Sequence, residues 1–566
     1  MKPGKARLQR QALALRKIPG IKTLYRLWYS VGRRLLTRFA GSHAEVISVY
    51  LRRGGGRDEL VPGASDLDFF LVLETLPAEQ EMEFLKRFWA GYHRLRWPFP
   101  FLGEVLMGDE NELRAWLSTP GARAYEARFS WKLLRGKDCL QVVPVRPDLR
   151  DLFSESLKHF SDLLQSVLKL RPEEFHAGIA SHQAGAVHLR HAAKAALDLF
   201  RFHASAFAHN ENLWRASRLT LTEILPPAYG ANLRALQPIL RLDSRPFGED
   251  PFAVYSALAH TAIHCLHEMA SALTARGEEE AVFAVSQKAQ TGSDPYSLSV
   301  RELFAERTLL RHSEILASAV LSENTAAMYF TMPSPPSLEE LRALMLDLRE
   351  VSFSFDRLSV AMPLTVATFR ELERTSLLDS PFHSFCRQRE IKADAAGNLE
   401  TKPYEMPPAR IPLGMLRKTF AELSFGLRLE PTELPHFLDK IVGMVLGLRL
   451  AADHREVSAD FRQALSLFGV RYPLRVEHLK AKIHPYVSGD AEEKIWDDIY
   501  SRLAEEQGTQ ADFLRSQLGE LRRKNGALAG SQNAVSDLWI NLTPFLRMEM
   551  NAMKEKYFEE RPVLKI

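Results

Sequence analysis

The chain has 566 residues, 46% hydrophobic and 25% charged, with a net charge of +4; this is the balance of a globular protein with core enough for about three or four domains. Its three cysteines, Cys139, Cys265 and Cys386, lie far apart and form no CxxC pair, which excludes a disulfide framework or a cysteine zinc site and fits a reducing, cytoplasmic compartment. No run reaches the ~18–20 apolar residues of a membrane span, and the basic start MKPGKARLQRQ leads into no clean apolar segment of the secretory kind.

Residues 1–44 read as a basic helical arm. Eleven Lys and Arg precede the first acidic residue, Glu45, so the rest of the chain carries −7. Leu8, Ala12 and Leu15, then Ile21, Leu24, Leu27, Trp28, Val31 and Leu35, recur at helical spacing, with a break near Pro19-Gly20. Such an arm suits RNA, an anionic membrane or an acidic face of its own protein; a solvated helix docked on the next domain and an organelle transit peptide are the other readings.

Residues 45–150 read as a small α/β unit. AEVISVYLRR predicts a strand that runs into the glycine cluster Gly54-Gly55-Gly56. After a turn at Val61-Pro62-Gly63, residues 66–73 (DLDFFLVL) predict a buried strand. A helix follows from Pro77 to about Leu95, then a third strand, FLGEVLM, then a helix capped by Asp109 with Glu112 three residues on. Beyond residue 150 the pattern reads as helical: a bundle over 151–332, a linker at 332–336 (MPSPP), and a second helical domain over 337–566 of unknown role. That domain opens with the capping box Ser337/Glu340 and the apolar face of Leu341, Leu344, Met345 and Leu348. The expected class is α+β, a small mixed sheet followed by large, mostly α-helical domains, with no internal repeat.

The chemistry concentrates in SVYLRRGGGRDELVPGASDLDFFLVL. In a strand, residues i and i+2 share a face, so Asp66 and Asp68 are expected side by side. Two carboxylates against an apolar core repel unless a cation sits between them, and hard oxygen donors suit Mg²⁺, with Mn²⁺ an alternative. Two such ions would activate a hydroxyl and steady a leaving pyrophosphate. Gly54 and Gly55 allow close backbone approach to a triphosphate, and Ser65 offers a hydroxyl to a phosphate oxygen.

This pattern resembles the DNA polymerase β-like nucleotidyltransferase superfamily, over about residues 45–140. The resemblance rests on Leu-Arg-Arg before Gly54-Gly55, the spacing to Ser65-Asp66-Leu67-Asp68, and the segment 131–138 (WKLLRGKD). It implies a third carboxylate on the neighbouring strand, where Glu104 is the candidate. It also implies that Asp66, Asp68 and Glu104 bind metal and that Glu104 accepts the acceptor's proton. The helix that the family places after the glycine turn is hard to find in RDELVPGA.

Other candidates are weaker. Asp109 reads as a helix cap and Asp58 and Glu59 as a solvated loop. His176, His182, His188 and His191, and His260, His264 and His267, read as core or helix-surface histidines; His260 and His264 have metal-like spacing but no third ligand. Arg307 with His312, and Arg87 with His93, match a loose pattern of helical ribonuclease domains. Arg190, Lys194 and Arg201 fall near one helix face and would suit a triphosphate. The expected function is transfer of a nucleoside monophosphate from an NTP to a hydroxyl, the acceptor being RNA, protein, a small molecule or a second nucleotide. The alternative is an idle nucleotide-binding scaffold.

Overall fold

In the computed structural model the described residues are Leu15, Ile18 and 20–168, 183–242, 250–275, 280–285, 311–312, 318–375, 388–430, 437–483 and 534–554, with short gaps inside several of these stretches. The basic arm contributes helix α1 (Ile21–Ala40), which starts at Gly20 in a left-handed conformation (φ 85°). Tyr29, Gly32, Leu36 and Ala40 face inward. Of the readings for the arm, docking on the following domain is the one seen over α1.

A four-stranded sheet carries the α/β unit: β1 (Val46–Leu51), β2 (Leu67–Leu73), β3 (Leu102–Asp109) and β4 (Lys132–Gly136), in the order β3-β2-β1-β4. β2 runs antiparallel to β1 and parallel to β3; β4 is antiparallel to β1. The helices are α2 (Arg53–Gly56), α3 (Ala78–Arg96), α4 (Glu110–Leu117) and α5 (Ala122–Ser130). The glycine cluster is thus a single helical turn rather than a bare bend, so the helix sought in RDELVPGA lies just ahead of it. Asp109 and Glu112 form the expected capping box at α4.

Alternation along β2 sorts the sheet into two faces. Leu67, Phe69, Leu71 and Leu73 pack with α1 and α3 through Phe84, Leu85, Phe88 and Tyr92. Phe70 and Val72 pack with Tyr50 against α4 and α5 through Leu113, Trp116 and Ala127.

Next come α6 (Leu149–Leu168), α7 (Gln183–Phe207), α8 (Glu211–Arg215), α9 (Arg218–Ile224), α10 (Gln237–Arg241) and α11 (Pro251–Ala275). The expectation of helices alone beyond residue 150 is corrected here. A five-stranded sheet has the order β10-β9-β6-β7-β8, from β6 (Ser318–Ser322), β7 (Ala327–Met332), β8 (Val360–Thr365), β9 (Gln388–Ala393) and β10 (Leu399–Pro403). A three-stranded sheet joins β5 (Glu280–Val285) to β11 (Ala409–Pro412) and β12 (Glu456–Val457). Runs this short carry too little periodicity to tell a strand from a turn of helix, which is why the pattern misled. Residues 332–336 are a strand-to-helix connection: Met332 ends β7, and α12 (Leu338–Ser354) leads on to β8, parallel to β7. The Ser337/Glu340 box forms at its start, and Leu341, Leu344, Met345 and Leu348 are buried.

Leu341, Met345, Met362, Leu364, Phe369 and Leu372 share one core with α6, α7 and α11, so residue 337 does not divide two cores. After α13 (Val366–Thr375) come α14 (Leu413–Gly426), α15 (Gly443–His454), α16 (Phe461–Arg471), α17 (Pro473–Ile483) and α18 (Ala534–Lys554). These last helices return to the α/β unit: Leu416, Val445, Trp539 and Phe545 share a core with Leu71, Phe88 and Trp89. Glu81, buried on α3, pairs with Arg428 at 2.7 Å and also with Arg547. No described helix is long and apolar enough to cross a membrane.

Candidate active site

The parallel pairing of β2 with β3 sets Asp68 beside Glu104. Leu67 pairs with Leu102 but Phe69 pairs with Val105, so Gly103 and Glu104 together oppose Asp68 alone. This is a bulge in β3, which locally re-aims side chains. Strict alternation would put Leu102, Glu104 and Leu106 on one face, but Leu102 packs into the α1/α3 core and Leu106 against the opposite one. The Glu104 amide donates to Asp68 Oδ1 at 3.0 Å. Asp66 lies just ahead of β2 on the same rim: a Cβ added to Gly103 would come within 3.0 Å of the Asp66 Cβ and would overlap Asp68 Oδ1. Gly103 therefore makes room for both aspartates.

Two arginines occupy the approach. The Arg53 guanidinium bridges Asp68 Oδ2 at 3.5 Å and Glu104 Oε2 at 3.4 Å, with 60% of its side chain exposed. Arg52 reaches Glu104 Oε2 at 3.4 Å from a buried position, 5.3 Å over the Trp131 ring, and its Nε has no hydrogen-bond partner among the described residues. Burial, and then the neighbouring Arg53 charge, push the Arg52 guanidinium down to about 10. The donor set around Asp68 and Glu104 is all carboxylate oxygen, the chemistry of a hard cation. Among the described residues no three His, Cys, Asp or Glu side chains converge as a metal cage. Asp68 and Glu104 are the two carboxylates that could hold a divalent ion, and here Arg53 bridges them through long, solvent-exposed contacts.

The glycines divide by role. The Gly55 and Gly56 amides bond back to the Arg52 carbonyl at 3.1 and 3.3 Å, so they are engaged within the turn rather than presented to a phosphate. A Cβ on Gly56 would overlap the Ser130 carbonyl oxygen, whereas one on Gly54 meets nothing closer than 3.7 Å. Ser65 is tied into its own turn: its Oγ accepts from the Val61 amide at 2.9 Å and from Arg190 at 3.4 Å, and its carbonyl accepts from Tyr29 Oη at 2.6 Å.

A buried ion network clamps this region to the helices behind it. Arg57 pairs with Glu126 at 2.8 Å, and Glu59 pairs with Arg218, which also holds Asp198 at 2.6 Å. Burial alone would raise the Glu126 carboxyl, but Arg57 and Arg123 overcome it and bring it to about 2. Glu59 is therefore a structural ion-pair partner, not a solvated loop residue; Asp58 lies outside the described residues. Arg201 pairs with Asp198 at 3.3 Å and is buried, seven residues and hence about 10 Å along the helix from Lys194, so it does not join Arg190 and Lys194.

His260 bonds the Pro336 carbonyl at 3.0 Å and His267 bonds Thr365 at 3.0 Å, which are structural roles. His312 bonds Asp347 at 2.9 Å, while Arg307, His176 and His182 lie outside the described residues. Arg87 pairs with Glu45 and His93 with Glu430, so that pair is separated by its partners. Arg52, Arg53 and Gly103 were missed from the sequence; their only signal was consecutive arginines between a strand and a glycine cluster. Compared with protein-family models, curated proteins and solved structures, the chain finds no match.

Proposed function

We propose that the protein is a metal-dependent nucleotidyltransferase that moves a nucleoside monophosphate from an NTP to a hydroxyl acceptor. The observation that carries this reading is the pairing of Asp68 with Glu104 on neighbouring parallel strands, opened by a bulge, with Asp66 on the same rim and the glycine turn beside it. Asp66, Asp68 and Glu104 would hold Mg²⁺ or Mn²⁺. When bound, such ions supply charge neutralisation at the phosphates and a more acidic acceptor hydroxyl. The Glu104 amide holds Asp68 Oδ1, which leaves Oδ2 to Arg53 or to a metal in its place. Glu104, about a third exposed, would take the acceptor's proton. Arg53, displaced from its bridge, reaches the space where a triphosphate would lie and can pair with its oxygens. Gly54, without a side chain, leaves that approach open.

The double substitution Asp66→Asn with Asp68→Asn tests this. Release of pyrophosphate from labelled NTPs with Mg²⁺ and a lysate of acceptors should fall by on the order of 10²-fold or more. Turnover at the parent rate would remove the site from the chemistry. A second reading, an idle nucleotide-binding scaffold, is favoured by Arg52 and Arg53 already neutralising the carboxylates. Calorimetry with Mg·NTP separates the two: binding with no pyrophosphate released from any NTP selects the scaffold.

A further inference from the structure

A cavity of about 420 Å³ lies between α1, residues 59–62, α7, α9 and α10. That volume is in the range of small-molecule sites. Its charge is one-sided. Lys22, Arg26 and Arg33 come from α1, Arg190 and Lys194 from α7, and Arg241 from α10. Among the described residues of its lining the one carboxylate, Glu59, is taken up by Arg218, whose charge is shared with Asp198. Among the described residues, no ion pair forms at Lys22, Arg26, Arg33, Lys194 or Arg241. Arg190 is buried and Arg33 and Lys194 are half-buried, while Lys22, Arg26 and Arg241 are exposed at the mouth; like charge held partly out of water costs free energy that an anionic occupant would offset. Tyr29, Leu60, Val61, Leu219 and Leu240 supply apolar wall.

This cavity is not the carboxylate site. Leu67 lines it, and alternation turns the adjacent Asp68 side chain to the other face of β2. Asp66, Asp68, Glu104, Arg52 and Arg53 take no part in its lining. We propose that the cavity is a second ligand site that binds a compact small molecule bearing two or more phosphates, without a metal. Lys194 is its most informative member. Burial, then the charges of Arg190 and Arg218, push its ammonium down to about 7, against the pull of Glu59 and Asp198. A bound polyanion restores the charged form and relieves that penalty.

The test uses the full chain in EDTA, so that it stands apart from the metal-dependent reading, with inorganic triphosphate as the probe in calorimetry. Parent protein and the Asp66→Asn/Asp68→Asn variant should bind equally. Arg34→Met, an exposed position of α1 outside the cavity, should stay within about threefold, and Lys194→Met should lose tenfold or more, about 1.4 kcal/mol. Without ligand, Lys194→Met should melt at or above the parent. The folded pKa lies below the ordinary lysine value of 10.5, so the unfolded chain binds more protons between about pH 7 and 10.5, and the parent gains stability as pH rises through that window. The variant's advantage is therefore largest at pH 7 and below and shrinks towards pH 10. No binding by the parent, loss of binding in the double aspartate variant, unchanged binding in Lys194→Met, or displacement of the probe by an RNA oligonucleotide lacking terminal phosphates would each overturn the proposal.

Discussion

Gly54 and Gly56 stand two residues apart and carry opposite constraints. Gly56→Ala drives a methyl group into the Ser130 carbonyl and should lower the melting temperature sharply, by ~2–3 kcal/mol of stability. Gly54→Ala meets only ordinary contacts and should melt like the parent; a fall in NTP turnover with no change in melting would then mark Gly54 as a phosphate contact. Arg53 holds φ at 51°, which costs a non-glycine residue ~1–2 kcal/mol. Arg53→Gly relieves that strain and loses only solvent-exposed ion pairs of ~0–1 kcal/mol. It should leave melting unchanged or raised, and it should tighten Mg²⁺ binding in a titration by removing the competing cation. At this scale the sequence disclosed the acids, because paired carboxylates in an apolar strand demand an explanation. It hid the arginines that answer them, since an arginine's partner is set by tertiary register. The bulge opposite Asp68 is likewise invisible in FLGEVLM, where strict alternation would put Leu102 and Leu106 on one face.

Helix α4 ties local capping to long-range packing. Asp109 accepts from the Glu112 amide at 2.8 Å, and the Glu112 carboxylate accepts from the Asp109 amide at 2.9 Å while also pairing with Arg428 at 2.5 Å. Asp109→Ala should cost about 1 kcal/mol, the usual worth of a cap. Glu112→Ala should cost more, because Arg428, buried with Glu81, loses a partner. Urea melts of the two variants check the order; equal losses would show that the Arg428 contact contributes nothing. Helices with a capping box, α4 and α12, and those with a long periodic face, α3 and α7, were legible in the sequence. Strands β5 to β12 were not, because runs of two to six residues carry too little periodicity to separate a strand from a turn of buried helix.

The whole molecule closes on itself. Helices α14 to α18 cover the α/β unit, with Phe425 5.1 Å from Phe70 and pressed against Gly108, and with Trp539 and Phe545 in the same core as the sheet. A chain ending at residue 412 would leave that core uncovered, and it should appear in the insoluble fraction or as aggregates by size exclusion; a monodisperse, folded product would show that the cover is dispensable. The sequence divided the chain where composition changes, whereas the cores join segments hundreds of residues apart, and no window of sequence reports on its distant partner. The return of α18 to the sheet also sets a timetable for biogenesis. About 400 residues separate β3 from α18, so at ~5–20 residues per second a ribosome exposes the four-stranded sheet's sticky side for roughly 20–80 s before its cover emerges. A nascent chain in that interval depends on holding factors, and slow translation of the distal half would be paid for in lost yield rather than in lost activity per molecule.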